Sequence, residues 1–511
     1  MATYFFTSIL MKKLILYIYL SLSSFFVNAQ EKSGDTWLLG LIGDINILKW
    51  ESKDSITTKY INDKETYAAF DDPNASICDQ HGNLKFYSSG CSIIGNNYKI
   101  IPNGIQINPN SIHDEYCGKQ SYGIYPAYNN GVFLPKPEDS TKYYLFHTSR
   151  DTNDLEQVLF PFYKFYFTII DDTNSKAKVI KKNILLVKDT LSEMGPLACR
   201  HANGRDWWVL VPTIGEHSFY RALLTKDSVT FIGHQILAAK FGKTQADYQG
   251  QAVFSPDGSK YIRSDPFNGT YIYDFDRCTG LMSNPIFIDN LIKTSCAGVA
   301  VSQNSRYLYI SNRVVLHQFD LWASSIITSK IKIGVYDGHI TPLGTANSFY
   351  KMALAPDGKI YMGATNTTES LHVIHNPDAK GDSCNFKQHD YFLPSYFYVG
   401  LPNYPNFRLG AKAVICPTVS ATEEIKTLVF AAKLFPNPAK EKVVLTWETY
   451  LEQNATWELY NQYGQLVFKN SIELSTQEAQ IDISSVENGI YFWKLNVKGR
   501  IGQSGKLVIL R

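Results

Sequence analysis

A few places in the chain set chemically capable side chains close together. Ser111-Ile112-His113-Asp114-Glu115 gathers a hydroxyl, an imidazole and two carboxylates, a set that can ligate a metal ion or move protons. Leu371-His372-Val373-Ile374-His375 carries two imidazoles three residues apart. In a strand that spacing sends them to opposite faces, so they do not share a metal. Asp274-Phe275-Asp276 puts two carboxylates on one strand face but lacks the glycine and closing glutamate of a calcium loop. Trp207-Trp208 and the run Tyr391-Phe392-Leu393-Pro394-Ser395-Tyr396-Phe397-Tyr398 offer flat faces of the kind sugar rings stack on. Each set also has a plain structural reading, which the sequence favours: loop residues, an edge or turn histidine, the aromatic core of a sheet. No Gly-rich phosphate loop, GxSxG elbow or HExxH motif occurs. No residue is therefore assigned as catalytic, cofactor-binding or metal-ligating.

The elements that must position these side chains are written as a repeat. Phe254-Ser255-Pro256-Asp257-Gly258-Ser259-Lys260-Tyr261-Ile262 recurs closely at Leu354 to Tyr361 and Val301 to Tyr309, and more loosely at Cys78 to Tyr87, Pro135 to Tyr144 and Arg200 to Trp208. Each copy reads as a short strand, a tight turn and an aromatic, β-branched strand. Proline presets the turn's φ, Asp or Asn bonds its own backbone, and glycine takes the left-handed position without steric cost. The turn positions 82, 140, 204, 258, 305 and 358 lie 47 to 64 residues apart. Strand repeats of that length are the blades of a β-propeller, since a single blade cannot cover both its faces. Six blades are clear and a seventh is allowed. Trp37-Leu38-Leu39-Gly40 opens the mature chain, and Val399 to Leu409 ends the repeats in a position to complete the ring with it. An insertion-like loop falls around Asn103 to Tyr116.

A chain of 511 residues exceeds one ordinary core and divides into two or three folding units. With 33 Tyr and 29 Phe it favours strands. The formal net charge of +2 gives no polyelectrolyte signal, which argues against nucleic acid as a partner. Lys12-Lys13, the apolar run Leu14 to Val27 and the small residues of Val27-Asn28-Ala29 read as a secretory leader cut between Ala29 and Gln30, with Met11 as its natural start. No later segment approaches a membrane span. The eight cysteines suit an exported chain. Cys78 with Cys91 and Cys278 with Cys296 are candidate pairs, although spacing does not settle connectivity. No CxxC supports a cysteine metal site.

Beyond Leu409 the repeat stops. The reading is a leader over 1–29, a propeller over 30–412, a polar linker over 413–430 and a final domain over 431–511. That final domain holds six or seven short alternating strands in about 80 residues, which is the density of an immunoglobulin-like β-sandwich. Four of its blocks are distinctive: Leu434-Phe435-Pro436-Asn437-Pro438-Ala439, Leu459 to Val467 through Gly464, Ile481 to Tyr491 through Gly489, and Gly505-Lys506-Leu507-Val508-Ile509-Leu510-Arg511. In that order they resemble the type A C-terminal sorting domain of the Bacteroidetes type IX secretion system. The resemblance marks Pro436, Asn437, Pro438, Gly464, Gly489, Tyr491, Lys506 and Arg511 as motif residues. It implies export through the periplasm and an outer-membrane translocon to the cell surface. It also implies removal of the domain by a sortase-like peptidase that joins the mature protein to a lipopolysaccharide anchor. The preceding repeats more loosely resemble uncharacterised surface propellers, through Phe254 to Tyr261 and Gly400-Leu401-Pro402-Asn403.

Two classes of function stay open for the propeller. One is a surface module that binds a glycan, protein or peptide without chemistry of its own. The other is a secreted hydrolase or lyase whose residues come from several blades around the channel. Paired carboxylates at one mouth favour the enzyme, and an aromatic or uncharged mouth favours binding. Since no constellation stands out, binding is the expectation.

Overall fold

The computed structural model describes residues 32–41, 43–62, 74–118, 123–127, 129, 131–150, 162–214, 216–240, 250–289, 297–413, 416, 432–447, 454–473, 478–497 and 500–511. The chain is all-β and divides into two compact units, Met1–Thr418 and Val419–Arg511. The expected leader, with Ala29 and Gln30, lies outside the described residues. Among those described, no helix is long and apolar enough to cross a membrane.

Among the described residues the first unit is a succession of seven antiparallel sheets. Sheet I is Thr36–Leu41, Asp44–Ser52 and Ser55–Asn62; sheet II is Ala75–Cys78, Leu84–Ser88 and Ile94–Gly95. Five four-stranded meanders follow, each of blade size. Sheet III runs from Gly131–Lys136 to Lys178–Leu191, sheet IV from Leu197–Arg200 to Val229–Lys240, and sheet V from Gln251–Phe254 to Leu281–Ile288. Sheet VI runs from Gly298–Val301 to Ile331–Val335, and sheet VII from Phe349–Leu354 to Phe386–Phe397. From sheet II to sheet VII the first strand of each adjoins the first strand of the next, and sheet VII lies against sheet I. Apolar clusters fill the joints in turn. Tyr87 packs with Leu38 between I and II, Trp208 with Tyr261 between IV and V, Ile262 with Leu308 between V and VI, and Trp37 with Tyr361 between VII and I. Sheets twisted this way, each covering its neighbour's face, make the β-propeller arrangement that a repeat of about 50 residues calls for.

The repeated turn joins the first and second strands of sheets II to VII. Gly82, Gly204, Gly258 and Gly358 all have positive φ, and Ser305 takes the same conformation at 62°. In sheet V the Gly258 N–H bonds the Ser255 carbonyl at 2.8 Å, and Asp257 Oδ1 accepts from the Ser259 N–H at 3.0 Å. In the loosest copy the left-handed residue is Glu138, not Ser140, which is already in the second strand. With no glycine there to mark the turn, its position slips by two residues.

Two local expectations are corrected. The loop around Asn103 to Tyr116 contains a short helix, α1 (Ser111–Tyr116), because the Asn110 side chain accepts from the His113 N–H at 2.8 Å and caps it. The disulfides are Cys91–Cys117 and Cys278–Cys416. Cys78 is instead a free thiol buried at the end of its strand, its Sγ directed to the Thr36 carbonyl, so the hairpin pair Cys78 with Cys91 does not form. Cys296 lies outside the described residues.

The second unit packs a three-stranded sheet against a four-stranded one around Val443, Trp457, Ile481, Trp493 and Leu507. The first holds Ala432–Phe435, Lys442–Trp447 and Glu478–Asp482. The second runs in the order Leu466–Glu473, Asn454–Tyr460, Gly489–Val497 and Arg500–Ile509.

Candidate functional site

Two sites emerge, one in each unit. In the second unit the motif blocks, up to 70 residues apart in sequence, meet along the final strand. Asn437 Nδ2 donates to the Lys506 carbonyl at 2.8 Å, and its Oδ1 accepts from the Val508 N–H at 2.9 Å. Both flanking prolines, Pro436 and Pro438, follow cis peptide bonds. The Ala439 N–H then bonds the Val508 carbonyl, and the Leu510 N–H returns to the Ala439 carbonyl. Arg511 closes the arrangement: its guanidinium donates to the carbonyls of Lys440, Ile483 and Val486 at 2.8–3.0 Å, and its N–H to Asn488 Oδ1. Tyr491 donates its hydroxyl to the Glu487 carbonyl at 2.8 Å and packs against Gly489. Gly464, at φ 78°, closes the Asn461–Gln465 turn at the same end of the sheet. The chain's last residues are thereby fixed in place, with the Lys506 side chain and Leu510 left exposed.

In the first unit the centre of the ring is crossed by residues 399–412. Strand Thr36–Leu41 runs opposite to Ala75–Cys78: the Thr36 hydroxyl reaches Gly82, past the far end of that strand, and Asn74, just before it, bonds the Leu38 carbonyl. Beside them the crossing segment enters at the end away from the repeated turns, where Val399 packs on Tyr350 and Asn74 reaches Gly400. Asn403 Nδ2 donates to the Pro196 carbonyl of sheet IV at 3.1 Å, and the Tyr404 hydroxyl bonds Ser76 and the Thr36 carbonyl. The segment leaves at the turn end. There Asn406 Nδ2 donates to the Pro256 carbonyl of sheet V at 2.7 Å, and the Lys412 N–H bonds the Ala202 carbonyl of sheet IV. Pro402 and Pro405 have no N–H to donate, which is why an extended segment beside a strand does not become one.

Two buried guanidiniums hold the exit. Arg200 donates to the Phe407 carbonyl at 3.2 Å and lies 4.0 Å over the Trp207 ring. Arg277 donates to the carbonyls of Arg200, His201 and Gly410. Burial depresses both, Arg200 to about 10, so they remain cations at neutral pH and serve as carbonyl clamps. Arg408 pairs with the buried carboxylate of Asp35 at 2.5 Å. Burial raises the Asp35 pKa, and Arg408 opposes that rise.

Between this segment and the first strands of sheets V to VII lies a crevice of about 490 Å³. Its deep walls are the buried Ala252, Val301 and Met352; exposed Asp257, Asn304 and Asn406 mark its mouth at the turn end. At the opposite end one side chain ties three sheets together. Gln251 Oε1 accepts from the N–H groups of Val299 and Met352, both at 3.0 Å, and its Nε2 donates to the Met352 carbonyl at 2.6 Å. The charges in the lining are engaged. Burial would raise the Asp257 carboxyl, but hydrogen bonds from Ser255 and Ser259 hold it below the ordinary range. Lys351 sits over the Tyr350 ring, and Arg408 has Asp35. The half-buried rings of Phe254 and Tyr404 complete the walls.

The sets singled out in the sequence fall elsewhere. His372 is fully buried, a core residue and not an edge one, with Nε2 on the Asn347 carbonyl and Nδ1 accepting from the His389 N–H. His375 is paired with Asp390 at 2.8 Å, so the two imidazoles do lie on opposite sides. His113 is buried, with Nε2 on the Cys91 carbonyl at 3.3 Å and Nδ1 3.5 Å from the exposed Asp114. Asp274 bonds Asn284 and Lys260, and Asp276 caps the Cys278–Thr279 turn. Trp207 and Trp208 are both fully buried and offer no stacking face. Of the aromatic run, Tyr391 packs on Tyr361 and Phe392 is largely exposed. Among the described residues no cluster of His, Cys, Asp and Glu could hold a metal ion. The crevice was missed because its residues come from sheets V to VII and the crossing segment, about 50 residues apart from one to the next.

Comparison with known proteins separates the two units. No curated protein sequence matches the chain. Solved structures resembling the chain include a protein from Lactobacillus plantarum at 13% identity, TM-score 0.39, covering 72% of this chain and 98% of that one. Another is a functionally unknown protein from Desulfotomaculum acetoxidans at 13% identity and TM-score 0.38, covering 72% and 99%. A third is a periplasmic gluconolactonase from Pseudomonas aeruginosa at 11% identity and TM-score 0.37, covering 71% and 96%. At such TM-scores none of these likenesses carries an argument about this chain. The second unit is different, because a family model matches it directly over residues 433–510. Those residues, with the motif blocks gathered on the final strand, are a secretion system C-terminal sorting domain, and they mark the chain for export to the cell surface or beyond.

Proposed function

We propose that the exported protein is a binding module whose ring takes an uncharged, hydroxyl-rich ligand, a glycan, in the crevice at its turn end. The observation that carries this reading is the lining. Among the described residues of the lining Asp257 is the one carboxylate, already hydrogen-bonded by Ser255 and Ser259, whereas glycoside hydrolysis uses a pair of acids. The half-buried rings of Phe254 and Tyr404 suit the apolar faces of sugars, and the volume is that of a small-ligand pocket. A glycan array on the full chain, followed by calorimetric titration of any hit against Phe254→Ala, tests it. Binding that weakens tenfold or more in the variant, with no product released, supports the reading. Ligand turnover contradicts it.

On the same footing we read residues 1–29 as the leader, 30–412 as the ring, 413–430 as the linker and 431–511 as an immunoglobulin-like sandwich. Its motif residues Pro436, Asn437, Pro438, Gly464, Gly489, Tyr491, Lys506 and Arg511 present the folded tail to the translocon. A sortase-like peptidase then removes the tail, so surface-released protein begins at Gln30 and lacks Arg511, which intact-mass measurement checks.

A further inference from the structure

Among the described residues sheet I is built from Thr36–Asn62 alone and sheet VII from Phe349–Phe397 alone, so neither sheet shares strands with the other end of the ring. Between sheets VII and I the joint is side-chain packing around Trp37, Trp50, Tyr361 and Phe397, with the Asn46 side chain bonded to the Ser395 backbone and the Thr58 hydroxyl to that of Tyr391. The crossing segment spans that joint from inside. Leu401 enters the VII–I cluster, Phe407 the cluster beneath sheets II to IV, and Leu409 the cluster between IV and V. Its polar ties are scattered hydrogen bonds, those from the buried Arg200 and Arg277 and the Tyr404 hydroxyl among them, plus one half-exposed ion pair, and its two prolines rule out a strand ladder. A segment held this way peels from its free end. That end is pinned covalently: Cys416 is bonded to Cys278, next in sequence to the clamp Arg277.

We propose that residues 399–412 are the closing strap of the ring, and that the Cys278–Cys416 disulfide is its lock: when the bond is reduced the strap loosens from the turn end and the crevice loses one wall. Reduction by a dithiol leaves two thiols on the chain and converts the reagent to its cyclic disulfide; a disulfide oxidant reverses the exchange. Because the chain is exported, the lock sets only after it leaves the reducing cytoplasm. Two of the free thiols among the described residues are kept from scrambling it. Cys199 lies beside the strap's exit, but burial pushes its pKa up to about 12 and keeps it protonated, and Cys78 is the same.

The test is hydrogen exchange by mass spectrometry on the oxidised full chain and on Cys416→Ser. Amides of residues 399–412 should exchange at least tenfold faster in the variant, while the central strands of sheets III to VI keep their protection. Unchanged exchange in the strap of a folded Cys416→Ser protein overturns the lock. Should that variant not fold, wild-type protein is folded oxidised and then reduced with dithiothreitol, with Cys91→Ser as control for the other bond; strap exchange that does not respond to reduction is equally decisive against it. The loss of a crevice wall rests on the binding reading, and ligand affinity measured on the same samples reports it separately. A loosened strap with unchanged affinity sinks the crevice as the site and leaves the lock standing.

Discussion

Gly258 and Gly358 occupy equivalent turns, and the repeat alone expects them to answer substitution alike. Their surroundings differ. A Cβ on Gly258 would fall 2.8 Å from both Arg277 Cδ and Leu409 Cδ2, and one on Gly204 would fall 2.6 Å from the Ala411 backbone nitrogen. A Cβ on Gly358 would meet only the movable end of the Gln303 side chain, at 2.6 Å. All three pay the left-handed cost of roughly 1–2 kcal/mol. Gly258→Ala and Gly204→Ala should therefore lower the melting temperature further than Gly358→Ala, and should loosen residues 399–412 as well. Equal shifts in all three would show that the strap is not seated as described. The paired aspartates behave as turn residues on this account. Asp357 accepts from the Lys359 N–H and the Tyr361 hydroxyl, as Asp257 accepts from Ser259. Alanine at either should cost about 1–2 kcal/mol, read by thermal melts. Loss of ligand binding at Asp257 alone, with stability unchanged, would contradict that role.

At the scale of elements, the motif blocks of the tail act by tying first and last strands together. Asn437→Ala removes two hydrogen bonds to the final strand and should cost about 1–3 kcal/mol. With two compact units, calorimetry of the full chain should show two transitions, and only the one lost on deleting residues 434–511 should move in this variant. A shift in the other transition would contradict independent units. The blades were legible because Pro-Asp-Gly-type turns and alternating aromatics are local signals, read within nine residues. The strap was legible as the end of the repeats and as a ring-closing segment, but not as a diagonal crossing. Its partners Pro196, Pro256 and Ala202 are 150 to 210 residues away, and nothing local encodes them. For the same reason the nearby Cys296, and not Cys416, is the candidate partner that the sequence offers Cys278. The helix at Ser111–Tyr116 was hidden for a different cause, since six residues make too short a period and only the Asn110 cap gives it away.

For the ring as a whole, two fully buried imidazoles contribute most to its response to acid, with His317, lowered to about 4 by burial, adding to them. His147 donates from Nδ1 to Asn108 and accepts at Nε2 from Thr168; His372 is held between Asn347 and His389. Burial pushes both down to about 3, so each must be neutral to stay in place. Below the unfolded value near 6.5 the unfolded chain binds the extra protons, and each histidine removes about 1.4 kcal/mol per pH unit until its folded pKa is reached. Stability should be highest above pH 7 and fall steadily between 6.5 and 4, with His147→Gln and His372→Gln each flattening the slope. A pH-independent melting temperature over that range would contradict the burial described. The central claim, that an autonomous binding ring is carried outward by its tail, meets its most direct test in a chain that ends at Lys433. Fractionation and surface labelling should find that chain inside the cell envelope and absent from the surface, with the strands of sheets I to VII still protease-resistant and still binding whatever ligand the full chain binds. Normal surface display of the truncated chain would contradict the account.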